Sequence, residues 1–270
     1  MKKILKTIAA LQWAVLLTGC DMLESHPYDV KISGDKYCSD RNVDEIEKNL
    51  AGKKSFVFAM ISDTQRAYDE TVDAVEALNS RDDLDFVVHG GDIAECGSVR
   101  EMEWTRDILE KLKVPYITVI GNHDCQATGT EAYRKIFGRL NYSFVAGDVK
   151  FLCLNTNALD FDYSTAIPDF SFLAAELAAT GPEIKRTIAL MHAGPFSEQF
   201  NNNVAEGFHC FLKRFPGLQF CLYGHQHYIS ADELFGDGII YYQCANIKKR
   251  SYLLFKIREG GGYEYEVVDF

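Results

Sequence analysis

No stretch of this 270-residue sequence offers the roughly 20 consecutive apolar residues that a helix needs to cross a bilayer, so a permanent helical span is not expected. Basic residues are scarce: 28 Lys and Arg stand against 39 Asp and Glu, a formal charge of −11. Neutralising a polyanionic backbone takes clustered Lys and Arg, so long duplex nucleic acid is not the expected partner. No two of the eight cysteines stand in a CxxC spacing, which argues against a zinc–thiolate knot. Internal repeats and low-complexity tracts are also missing. What remains, 47% hydrophobic and 25% charged residues, is the composition of an ordinary globular protein, long enough to bury a large core in one α/β domain.

Residues 1–20 begin with Lys2, Lys3 and Lys6, continue as an apolar stretch and end in Leu17-Thr18-Gly19-Cys20. This is the layout of a secretory signal, and its end resembles the lipobox of bacterial lipoproteins. The resemblance implies cleavage before Cys20, lipidation of that cysteine, and a lipid-anchored place in the bacterial cell envelope on the periplasmic or cell-surface side. Cleavage would remove three lysines and no acid, moving the net charge from −11 to −14. Seven other cysteines remain, an odd number that cannot be fully paired within one chain. Cys153, Cys221 and Cys244 sit in apolar runs and read as small core residues.

Residues 21–54 are polar and irregular, with a turn or two of helix near 44–50, and read as a tether to a domain spanning 55–270. From residue 55 onward, apolar runs of strand length alternate with helical periodicity. The run 55–61 ends in Asp63-Thr64-Gln65, and Val72, Val75 and Leu78 recur at helical spacing. The run 86–88 ends in His89-Gly90-Gly91-Asp92, and 116–120 ends in Gly121-Asn122-His123-Asp124. A hairpin is expected around Gly147-Asp148. The strand 187–191 delivers His192, and 218–223 delivers Gly224-His225-Gln226-His227. The aromatic-rich last forty residues read as antiparallel strands that belong to the core.

Ligands in open α/β sheets bind at the carboxyl ends of the strands. Asp or Asn after a strand is more often a turn former or cap, but five polar clusters at successive strand ends suit a pair of divalent metal ions with one bridging carboxylate. In order and spacing, Asp63-x-Gln65, Gly91-Asp92, Gly121-Asn122-His123-Asp124, His192 and Gly224-His225-Gln226-His227 resemble the calcineurin-like metallophosphoesterases over roughly residues 55–245. The resemblance implies a central β-sandwich flanked by α-helices, with a dinuclear centre at the carboxyl ends of the strands. It implies that Asp92 bridges both ions, that Asp63, Gln65 and His227 complete the first, and that Asn122, His192 and His225 complete the second. The ions would be Mn, Fe, Zn or Mg. Asn122 and His123 would contact the substrate phosphate, and His123 would help protonate the leaving group. Asp124 either orients His123 through its other ring nitrogen or caps a helix.

The implied activity is hydrolysis of a small phosphate monoester or diester by a metal-activated water. The alternatives are a metal-containing binding lipoprotein of the same fold that does no chemistry, and a nuclease acting on short strands. The commonest family pattern has Asp-x-His where this chain has Asp63-Thr64-Gln65. A Gln65 amide oxygen would be a neutral, harder donor favouring manganese or magnesium over zinc; otherwise Gln65 hydrogen-bonds a metal-bound water. Other polar residues take plainer readings. His89 is expected to be packed and hydrogen-bonded, and His209 to be solvated on the polar side of its helix. Residues 201–203 read as a loop and helix start. Cys96 and Cys125 follow two of the blocks in a compartment that permits disulfides, with free thiols the expectation. Selectivity would come from the loops 94–104, 126–140, 157–170 and 194–206.

Overall fold

Eleven strands and six α-helices are found among residues 29–161 and 164–270, the residues that this computed structural model describes. The expected leader and the expected lipidation at Cys20 fall in residues 1–28, which lie outside them. In chain order the elements are α1 (Cys38–Leu50), β1 (Phe56–Ile61), α2 (Tyr68–Asn79), β2 (Phe86–His89), α3 (Val99–Leu109), β3 (Tyr116–Thr118), α4 (Gly129–Ile136), β4 (Tyr142–Ala146) and β5 (Val149–Leu154). There follow α5 (Phe170–Ala179), β6 (Arg186–Met191), α6 (Ala205–Leu212), β7 (Leu218–Tyr223), β8 (Ser230–Asp232), β9 (Ile240–Gln243), β10 (Ser251–Ile257) and β11 (Tyr263–Asp269).

The strands form two sheets, ordered β11-β10-β1-β2-β3 and β4-β5-β6-β7-β9-β8. Between them lies a core rich in phenylalanine and β-branched residues, including Phe58, Phe86, Val88, Phe151, Leu190, Phe220 and Phe255. Phe58 stacks on Phe86 within its own sheet at 5.2 Å and meets Phe151 of the other edge-on at 5.4 Å. A second apolar layer, with Leu173, Phe208 and Leu212, covers the outer face of the second sheet beneath α5 and α6. Strands β1, β2 and β5 to β7 are therefore covered on both faces, which is why they read as continuous apolar runs rather than alternating ones. The expected sandwich with flanking helices is present.

Four expectations are corrected. Residues 38–50 are a packed helix, not tether: α1 contacts β3 and β4, the edge strands of the two sheets. Its Val43, Ile46 and Leu50 enter the inter-sheet core, the Asn42 amide donates to the Tyr116 carbonyl at 2.8 Å, and Glu47 accepts the backbone N–H of Val145 at 2.9 Å. Residues 32–270 form one compact unit. His209 is buried rather than solvated, because the 235–241 segment folds over α6. Its ring stacks on Phe235 at 4.0 Å and hydrogen-bonds the Tyr241 hydroxyl and Asp237. The C-terminal strands are not all antiparallel, since β9 pairs parallel to β7 while β10 and β11 join the other sheet. The fourth, the orienting role of Asp124, is taken up with the site. Cys96 and Cys125 are free thiols, as are Cys38, Cys153, Cys210, Cys221 and Cys244.

Candidate metal centre

Strands β1, β2 and β3 run parallel, as do β5, β6, β7 and β9. Their carboxyl ends meet at one edge of the sandwich, and each of the five sequence blocks follows one of these ends. The turns are tight. Asp63, Asp92, His225 and His227 all have left-handed backbone, with φ of 54°, 55°, 74° and 63°, a conformation costing about 1–3 kcal/mol each for a non-glycine residue. Backbone bonds hold the loops together: the N–H of Asp63 donates to the Gly91 carbonyl, and the N–H of Gly224 to that of His192, each at 3.0 Å. At Gly121 a Cβ would come within 2.1 Å of both the backbone nitrogen and Oδ1 of Asp92. Glycine is therefore required for the third loop to approach the second.

The donor atoms fall into two groups that share one residue. Asp92, His192 and His225 each bring a donor within 4.8 Å of the others, and so do Asp63, Asp92 and His227. Asn122 Oδ1 lies 3.0 Å from both His192 Nε2 and His225 Nδ1, which puts Asn122 with these two histidines at the second position. Gln65 joins Asp63 and His227 at the first position, its amide nitrogen 3.4 Å from Asp92 Oδ2. The Asp63 Oδ1 and Gln65 Oε1 atoms are buried and have no hydrogen bond, although His227 Nε2 is 3.2 Å from Asp63 Oδ1. Two orphaned acceptors beside a fully buried carboxylate pair are costly unless a cation completes them. The donor set thus fits two divalent ions with Asp92 between them.

The electrostatics agree. Burial works against the His192 imidazolium, but the Asp92 carboxylate beside it pushes this ring up to about 10. Burial likewise opposes the Asp92 anion, and His192 nevertheless holds it below the ordinary carboxylate value. The space between these side chains favours positive charge. His225, closer to other imidazoles, is held down by burial and by His192, while the Asp63 carboxylate beside His227 raises that ring. His89 is fully buried between the Thr64 hydroxyl and the Gly91 N–H, and burial pushes it down to about 4, so it is a neutral packed histidine as expected.

His123 touches neither donor group with its ring. Its Nδ1 lies 2.8 Å from the Glu95 carbonyl and its backbone N–H donates to Asp92 Oδ1 at 3.0 Å. Asp124 does not orient it. One oxygen of Asp124 accepts the N–H groups of Ile93 and Ala94 and the other that of Gly121; its carboxyl is fully buried, and burial and the Asp92 charge push it up to about 7. Asp124 therefore ties the Asp92 loop to the Asn122 loop, which is closer to the capping alternative. Two neighbours were not legible in sequence. Glu198 Oε1 lies 2.9 Å from His225 Nε2, and Asp160, on the rim, is raised first by burial and then by Asp92. Glu198 sits in an irregular loop and Asp160 in a single 3₁₀ turn, Leu159–Phe161, and no periodicity points to a partner for either.

The calcineurin-like phosphoesterase model matches residues 56–228. The chain is 31% identical over 175 residues to the glycerophosphodiester phosphodiesterase GpdQ of Enterobacter lignolyticus, covering 57% of this chain and 60% of that protein. The match thus spans less than two thirds of that relative's length. The fold resembles a purple acid phosphatase from yellow lupin, with a TM-score of 0.62 and 13% identity over 81% of this chain and 52% of that one. It also resembles a dimetal phosphatase from Danio rerio, with a TM-score of 0.60 and 14% identity over 80% of this chain and 99% of that one. With all five motif blocks inside the matched segment and their donors gathered at one sheet edge, the chain belongs to the calcineurin-like phosphoesterase family.

Proposed function

We propose that this protein hydrolyses a small phosphate monoester or diester at a two-metal centre. The observation that carries the proposal is the sharing of Asp92 by two donor groups. Asp63, Asp92, Gln65 and His227 would hold one ion, and Asp92, Asn122, His192 and His225 the other. When bound, such ions supply Lewis acidity toward phosphate oxygens and a water that ionises near neutral pH. The remaining steps belong to side chains. His123 donates Nδ1–H to the Glu95 carbonyl, which leaves Nε2 as the ring nitrogen available to substrate. In its protonated form that nitrogen contacts the phosphate and passes its proton to the departing oxygen. Asp124 keeps the two loops in register and takes no part in proton transfer.

The Gln65 amide makes the first position unusual. Its nitrogen faces Asp92 Oδ2 while its oxygen has no hydrogen bond, an arrangement that supports ligation by the oxygen. A neutral amide donor in place of imidazole favours manganese or magnesium over zinc at that position. The acidic chain disfavours long nucleic acid at a distance, whereas a metal pair makes the local field positive for a small anion. The similarity to a glycerophosphodiester phosphodiesterase is a reason to include diesters among the first substrates tried. Residues 1–20, with their lipobox-like end at Cys20, support a lipid-anchored protein on the periplasmic or cell-surface side of the bacterial envelope.

Hydrolysis of nitrophenyl phosphate and bis(nitrophenyl) phosphate by the purified full-length chain, with manganese added or chelator present, tests the proposal. Activity that chelator abolishes and manganese restores is the expected result, and the preferred ester sorts phosphatase from phosphodiesterase. Equal rates with and without chelator, or equal rates in wild type and Asp92→Asn, would overturn it. Two bound ions with neither ester cleaved would favour the binding-protein alternative.

A further inference from the structure

The two donor groups differ in charge. The first offers two carboxylates, Asp63 and Asp92, whereas the second offers only the shared Asp92 with the neutral donors Asn122, His192 and His225. Attraction for a divalent cation is therefore weaker at the second position. The imidazoles of that position are also oriented differently. His192 faces the centre through Nε2 and is fixed from behind by a backbone carbonyl, that of Gly90, 2.7 Å from Nδ1. His225 faces it through Nδ1, and the group behind its Nε2 is a carboxylate, Glu198, at 2.9 Å.

We infer that Glu198 is a positioning residue for the second metal position, fixing the tautomer of His225 and adding negative charge behind it. The inference rests on the two-metal reading above. A neutral imidazole carries one ring proton; with Nδ1 given to a cation, that proton must sit on Nε2, where it donates to Glu198. A carboxylate in this place locks the ligating tautomer and makes the donor nitrogen more basic. Glu198 is exposed at the surface, with its side chain 70% accessible, yet its loop is pinned on both sides. The Ser197 N–H and hydroxyl both bond the Gly194 carbonyl, Asn202 bridges the Phe196 N–H and the Ser197 carbonyl, and the Gln199 carbonyl accepts from Ala158. A surface carboxylate is thereby presented to one imidazole.

Manganese titration by calorimetry of the full-length wild type, Glu198→Gln and Glu198→Ala tests this, with thermal melting of each metal-free protein alongside. Wild type should bind two ions with different affinities. Glu198→Ala should weaken the looser event by about 10- to 100-fold and leave the tighter event and the melting temperature unchanged. Glu198→Gln should recover part of the loss, because its amide oxygen still accepts Nε2–H but carries no charge. The spectroscopic signature of a coupled manganese pair should fade in the same order at a fixed subsaturating concentration. Equal affinities in all three proteins would overturn the inference while leaving the two-metal reading intact, and so would weakening of both events together with a lower melting temperature. A wild type that binds no second ion would remove the two-metal reading and this inference with it.

Discussion

Asp63 Oδ2 accepts the backbone N–H of His225 at 3.1 Å, across 162 positions of sequence. This bond joins a loop of the first sheet to a loop of the second at the edge where the metal donors gather. It leaves Asp63 Oδ1 as the oxygen for a cation, and it helps hold two residues whose backbones are left-handed. Strain of this kind persists only where surrounding contacts over-determine it. Here the bond and the buried carboxylates do so.

The Asp124 carboxylate satisfies three backbone N–H groups, so Asp124→Asn should act on structure before chemistry. An amide offers one acceptor where the carboxylate offers two, leaving at least one buried donor unpaired at a cost of about 1–3 kcal/mol. Denaturant unfolding should show this loss. Unchanged stability with a collapsed turnover number would instead restore a direct link to His123.

His123→Ala should keep both metal ions and lose about 10²- to 10⁴-fold in turnover on an alkyl ester, the span of general acid catalysis. The loss should shrink on nitrophenyl esters, whose leaving group needs little protonation. Parallel metal analysis and steady-state kinetics check both halves. Loss of metal in this variant would make the residue a ligand.

Ile46→Ala should destabilise the protein by about 2–5 kcal/mol, as removal of a buried branched side chain does, because α1 seals the open edges of β3 and β4. Thermal or denaturant unfolding measures it. A change under about 0.5 kcal/mol would return residues 38–50 to the status of a tether.

Glu176 pairs with the buried Lys150 at 2.7 Å. Burial opposes its ionisation, but the hydrogen bonds from Lys150 and Ser143 hold it below the ordinary glutamate value. An acid whose folded value is depressed adds stability that is fully present above its unfolded value, about 4.3, and is lost as pH falls through the folded value. Stability of the wild type should therefore drop on acidification below about pH 4.3, and Glu176→Gln should flatten that part of the curve. Because Glu176 keeps part of its surface in water, the contribution at neutral pH should stay under about 1 kcal/mol. Unfolding curves across pH 3–7 decide, and superimposable profiles would remove the pair from the stability argument.

Cys96 and Cys210 are exposed and should react with a thiol reagent in the folded protein. Cys38, Cys153, Cys221 and Cys244 are buried, and burial pushes Cys38 up to about 11 and Cys153 and Cys221 up to about 12. These four should react only on unfolding, since the thiolate is the reactive form. Mass mapping of labelled peptides tests the division. A Cys96–Cys125 crosslink in the isolated protein would contradict it.

The chemistry and its order along the chain are legible in the residues without any structure. Strands buried on both faces appear as unbroken apolar runs, and the polar residues that end them are conspicuous for that reason; the resemblance of their order and spacing to the family pattern then singles out Asp63, Asp92, Asn122, His192, His225 and His227 as donors. Packed His89 was legible from its place in such a run. Helix α1 was harder because only Val43, Ile46 and Leu50 break a polar stretch, and its value depends on two sheet edges that come from distant segments. His209 looked solvated because helical periodicity describes one element and says nothing about the 235–241 segment that closes over it. Tertiary structure alone decided that Asp124 binds backbone rather than His123, that Gln65 and Asp63 present unpaired oxygens, and that Glu198 stands behind His225. Those are long-range contacts between irregular loops, set by how the two sheets stack, and a loop residue carries no local period from which its partner could be read.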